Sequence, residues 1–130
     1  MLNDVLLREG FEVLSGTELR AVRSSLDGLF RPDIVVRSHG ETIIVESTTW
    51  ANPDKLRADF FKGYVAAKKG YRLVCFVAGL EASISDTDPG FQRVVAVAMS
   101  DRYVRGVWGI RSLRGLVTYL QNPPKSIQPS

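Results

Sequence analysis

Two carboxylates stand out by their surroundings. Asp33 follows Arg31-Pro32 and opens the run Ile34-Val35-Val36; Glu46 closes the run Ile43-Ile44-Val45, thirteen positions later. Between them Ser38-His39-Gly40-Glu41 has turn composition, so the two β-branched runs read as a hairpin. Asp33 begins the first strand and Glu46 lies near the end of the second. The hairpin therefore carries both acids to one edge of a sheet. A charge placed after three consecutive aliphatics is costly unless something compensates it. A hard divalent cation held by oxygen ligands would do so. Mg²⁺ held this way activates water and stabilises charge on a phosphoryl group. The plainer readings are a turn-forming acid at a strand start for Asp33 and a strand glutamate paired with an arginine for Glu46.

The elements that must position these acids follow from pattern. Leu2, Val5 and Leu6 predict a short helix over about 2–9, stopped by Gly10, and Phe11–Leu14 predicts a strand. Residues 15–30 mix turn formers and polarity, which predicts an irregular excursion. Strands follow over 33–37 and 42–48. Asn52-Pro53-Asp54 has the composition of a helix start, and that helix runs to about Lys69 with Leu56, Phe60, Gly63, Tyr64 and Ala67 inward. Tyr71–Ala78 is a continuous apolar run, hence a buried central strand. A loop over 79–90, a helix over 91–103, a short strand over 106–110 and a last helix over 112–121 complete the order. Leu113, Leu116, Val117 and Leu120 form that last helix's inward stripe. This order predicts an α/β fold, a mixed central sheet with helices on both faces, in a single domain over 1–122 with a disordered tail over 123–130.

Composition narrows the class. The chain has 130 residues, of which 45% are hydrophobic and 24% charged, and this is globular rather than disordered composition. No apolar run is long enough to span a bilayer, so no membrane is expected as a partner. The opening MLNDVLLREG has an early acid and no long apolar core, unlike a signal peptide. One cysteine excludes an internal disulfide framework and a multi-thiolate zinc site, and one histidine argues against a His-rich metal site. The simplest compartment is a reducing one, the cytoplasm. The net charge of +3 is unevenly spread: residues 1–50 carry five Arg/Lys against eight Asp/Glu, and residues 51–130 twelve against six. That asymmetry fits a carboxylate site beside a polyanion-binding face, or chance segregation of solvated charge.

Over residues 2–78 the sequence resembles the PD-(D/E)xK nuclease superfamily, the restriction-endonuclease-like fold, and its small Holliday-junction-resolvase-like members. The resemblance rests on Leu6-Leu7-Arg8-Glu9-Gly10-Phe11-Glu12-Val13, on Pro32-Asp33, on Glu46-x-Thr48, and on the helix and buried strand that follow. It implies a Mg²⁺- or Mn²⁺-dependent DNA endonuclease, with Asp33, Glu46 and the backbone carbonyl of Ser47 as metal ligands and a homodimer as the working form. The family's lysine should stand two residues after the glutamate, where this chain has Thr48. Some members carry that lysine on the following helix. Lys62 is then the best candidate and Lys55 the second, since Lys55, Asp59, Lys62 and Ala66 share one flank of that helix. The glutamate that small resolvases carry on helix 1 would fall before Met1, and Glu9 and Glu12 are out of register with it.

The remaining candidates have plain alternatives. The plain reading of Lys62 is a solvated helix lysine, and that of Thr48 a β-propensity residue, against a hydroxyl that positions water or phosphate. Arg20, Arg23, Arg105, Arg111 and Arg114 are phosphate contacts or solvated surface. His39 reads as exposed, Cys75 as a core residue, Trp50 and Trp108 as packing, and Phe61, off the inward stripe, as an interface residue. Three functions follow: a metal-dependent deoxyribonuclease; a catalytically inactive nuclease-fold module that binds nucleic acid or a protein partner; or a domain of a larger recombination machine, with the short first helix leaving room for an upstream segment.

Overall fold

A computed structural model describes residues 2–48, 53–77, 89, 104–109 and 113–124. Within them lie α1 (Leu2–Arg8), β1 (Glu12–Val13), α2 (Gly16–Ser25), β2 (Ile34–Ser38), β3 (Glu41–Thr48), α3 (Pro53–Lys68), β4 (Arg72–Val77), β5 (Val104–Gly109) and α4 (Leu113–Gln121). The strands form one mixed sheet in the order β1-β2-β3-β4-β5. The first three are an antiparallel meander; β4 is parallel to β3 and β5 to β4. The expected loop and helix over 79–103 lie outside the described residues, apart from Pro89, as do Trp50 and most of the tail.

Alternation along the strands splits the core in two. Val35, Ile44, Leu73 and Cys75 face α2 and α3, joining Val22, Leu26, Val65 and Ala66. Val36, Ile43, Val45, Val74 and Phe76 face α1 and α4, joining Leu2, Leu6, Leu116 and Leu120. Sheet residues at successive positions therefore serve opposite layers, as the strand period of two requires. Helices cover both faces, as the sequence predicts.

Two helices stop by one device. Phe11 N–H reaches Leu6 carbonyl at 3.1 Å and Gly10 N–H reaches Leu7, while Tyr71 N–H reaches Ala66 at 2.8 Å and Gly70 N–H reaches Ala67. Gly10 and Gly70 have φ of 86° and 82°, the left-handed conformation this stop needs. The aromatic that follows each glycine then packs into a core layer, Phe11 into one and Tyr71 into the other.

Two expectations are corrected. Residues 16–25 are a helix, not an irregular excursion, and Val22 is buried on it. The buried face of α3 is set by Gly63, Val65 and Ala66, whereas Tyr64 is exposed. Small residues let α3 approach the sheet, and the Tyr64 ring turns outward beneath Lys68 Nζ, 5.4 Å from its centroid. At the far end of the sheet the β2–β3 hairpin docks on α4. Ser38 Oγ donates to Leu120 carbonyl and His39 Nε2 to Gln121 carbonyl, both at 2.6 Å. His39 is exposed as expected and satisfies a carbonyl at the helix end.

Candidate functional site

The register of the hairpin decides where the two acids go. Ile34 pairs with Val45 and Val35 with Ile44. Continuing by one position sets Asp33 opposite Glu46, on strands about 5 Å apart. Val35 and Ile44 both face α2 and α3. Asp33 and Glu46, each two residues along, stand at positions of that same face. On its other side Glu46 is in register with Cys75 of β4, which is buried.

The two acids differ in environment. The Asp33 side chain is 82% exposed at the rim, with Arg23 Nη2 at 4.0 Å. The Glu46 side chain is only 14% exposed. Its charge is met from α3, where Lys62 Nζ lies 3.6 Å from Glu46 Oε2. Lys62 stands one turn before the buried Ala66, so its stem runs along the sheet-facing side of the helix. Its ammonium also sits 5.7 Å from the Phe30 ring centroid, within cation–π range. Lys62 of α3 thus lies beside the strand glutamate.

Arg23 of α2 holds the approach to Asp33. Its Nε donates to the Pro32 carbonyl at 2.9 Å, fixing the backbone just before the acid. The mixed polarity of residues 15–30 gives no sign of this contact, because it reads as an irregular excursion rather than a helix. Leu19, Val22 and Leu26, at helical spacing, are the signal that would have found it.

Other candidates are less central. Thr48 ends β3 in register with Val77, and its side chain lies outside the described residues, as does that of Lys55. Ser47 is exposed and, alternating with Glu46, stands at a position of the α1 and α4 face. Arg20 donates to Thr17 on its own helix, and Arg114 pairs with Glu9. Arg37 lies between Glu12 and Glu18. The hydrogen bond that Arg37 donates to Glu18, with both carboxylates nearby, raises its guanidinium above the ordinary value. Trp108 packs on Tyr119, ring centroids 5.2 Å apart. These are structural pairings away from the two acids.

Among the described residues no three His, Cys, Asp or Glu side chains cluster as a ready-made cation cage. No described helix is long and apolar enough to cross a membrane. No protein-family model, curated protein or solved structure matches the chain. What stands is an α/β domain on a mixed sheet, with two acids at neighbouring register positions and a lysine against the more buried one.

Proposed function

We propose that this chain is a metal-dependent deoxyribonuclease of the PD-(D/E)xK type, with a restriction-endonuclease-like fold. The observation that carries it is the meeting of Lys62 with Glu46 at 3.6 Å, one residue past the Ile34–Val45 pair, where Asp33 leads into β2. The antiparallel β2–β3 hairpin followed by α3 and the parallel β4 supports it, because this order brings the start of β2 and the end of β3 to one end of the sheet.

The donor set fits a small hard cation. Asp33, Glu46 and the Ser47 carbonyl offer oxygen ligands only, and Mg²⁺ is commonly held by one or two carboxylates while keeping waters. Bound there, Mg²⁺ or Mn²⁺ would supply Lewis-acid stabilisation of a phosphodiester and a more acidic water. The chain's own groups do the rest. Lys62 brings a positive charge to the site in place of the lysine missing at Thr48, and orients a water through its N–H donors. Arg23 fixes the Pro32 carbonyl and so the direction from which Asp33 enters. Low exposure of Glu46 keeps these charges in a medium where they act more strongly than in water.

Incubation with linear duplex, branched and single-stranded DNA, in Mg²⁺, in Mn²⁺ and in chelator, tests this directly. Metal-dependent cleavage that Asp33→Asn and Glu46→Gln abolish is the expected result. No cleavage with any metal, while DNA or a protein partner still binds, would replace it with an inactive nuclease-fold module. Departures at Thr48 and on helix 1 favour that second reading.

A further inference from the structure

Beside the acids, the turn after α2 forms an open depression of about 350 Å³ lined by Arg23, Asp27, Gly28, Leu29, Phe30 and Arg31. Two of its walls also belong to the acid site. Arg23 reaches Asp33, and the Phe30 ring lies under Lys62. The wall is held by its own backbone: Leu26 carbonyl accepts from the N–H groups of Leu29 and Phe30, and Asp27 N–H donates to Ser24. That turn leaves Leu29 46% exposed, among the few large hydrophobics so placed in the described residues.

We propose that this depression holds an unpaired nucleotide next to the phosphate to be cut, its base against Leu29 and Phe30 and its phosphate against Arg31 and Arg23. The assignment rests on the nuclease reading and names the substrate class it takes. A continuous duplex turns phosphates outward and hides its base faces, so it offers nothing to an exposed leucine beside an aromatic. An unpaired base offers a face to stack there. A bare anion is a poorer occupant, because the Asp27 carboxylate lines the same wall. A base edge brings N–H donors that this carboxylate accepts. Because the wall is already ordered, little conformational freedom is lost on binding.

The test measures binding by fluorescence anisotropy in chelator, where no cleavage occurs. The probes are a single strand, a duplex with one bulged nucleotide and a continuous duplex, with 2-aminopurine at the unpaired position. The wild-type chain binds the first two about tenfold tighter than the continuous duplex, and the 2-aminopurine emission rises as the base leaves its neighbours in the strand. Leu29→Asp removes both the preference and the rise in emission. Arg31→Ala lowers the slope of log affinity against log salt by about 0.7 for single strands, the signature of one lost phosphate contact. Arg8→Ala, the same charge change at an exposed site on α1, leaves the preference intact. Equal affinity for all three probes, or an unchanged preference in Leu29→Asp, overturns the proposal. Adding Mg²⁺ separates the two ideas. A persisting preference without cleavage rejects the nuclease and keeps the subsite; indiscriminate cleavage of continuous duplex rejects the subsite and keeps the nuclease.

Discussion

Replacing Lys62 by methionine removes one charge and keeps most of the stem over Phe30. At 3.6 Å from Glu46 and an effective dielectric of about 20, the gross attraction lost is about 4–5 kcal/mol. Desolvation and side-chain ordering offset much of that. The Lys62 side chain is 29% exposed and Glu46 14%, so the pair is neither a surface bridge nor a fully buried one. A net loss of about 1–3 kcal/mol follows, because the variant removes the Lys62 charge from beside a largely buried carboxylate. Urea unfolding measures it. Glu46→Gln should cost less, since a lysine freed from its partner can extend into water. The double variant should then be more stable than the sum of the singles predicts, by about 1–2 kcal/mol. On DNA, Lys62→Met should slow cleavage on the order of 10²–10³-fold, the size of loss seen when one positioned stabiliser of developing charge is removed. Binding should change little, as for any single phosphate contact. Additive stabilities within about 0.3 kcal/mol, with cleavage unimpaired, would show that the contact is incidental.

Three further outcomes concern the frame around the site. Gly115→Ala would set a Cβ 2.8 Å from Trp108 Nε1 and 2.9 Å from its Cδ1. It should lower the melting temperature and shift tryptophan emission, its overpacking cost of about 1–3 kcal/mol exceeding the gain in helix propensity. Arg72 is buried against Tyr119 Oη at 3.1 Å and Glu41 Oε1 at 3.5 Å; in urea unfolding Arg72→Ala should cost about 1.5–3 kcal/mol through its lost charged contacts and the lost packing of its buried stem, and Tyr119→Phe about 1 kcal/mol. Ser38→Ala, which strips a hydroxyl from the end of α4, should cost about 0.5–1.5 kcal/mol in the same assay and leave DNA cleavage unaffected.

Hairpin, buried β4 and last helix were all legible in the sequence because each rests on a short-range pattern: β-branched alternation, a continuous apolar run, leucines at helical spacing. The pairing of Ile34 with Val45, next to the two acids, is legible for the same reason, since turn composition fixes the register of two short strands. Helix α2 was not. Its glycine and serines suggested turns, and burial of Val22 and Leu26 against the sheet outweighs that local preference. With α2 unread, the approach of Arg23 to Pro32 and the depression beside it had no sequence signal. On α3 the sequence pattern points Tyr64 inward, where the structure buries Val65 and Ala66. Side-chain size argues for burial only where the sheet leaves room, and close approach to Ile44, Leu73 and Cys75 favours the small residue.

Isothermal titration of Mn²⁺ into the chain, alone and with bound oligonucleotide, tests the central claim most directly. One equivalent of metal should bind to the wild-type protein, and none to Asp33→Asn or Glu46→Gln. Binding that survives both substitutions, or no binding to the wild-type protein under either condition, would contradict a metal site built on these two acids.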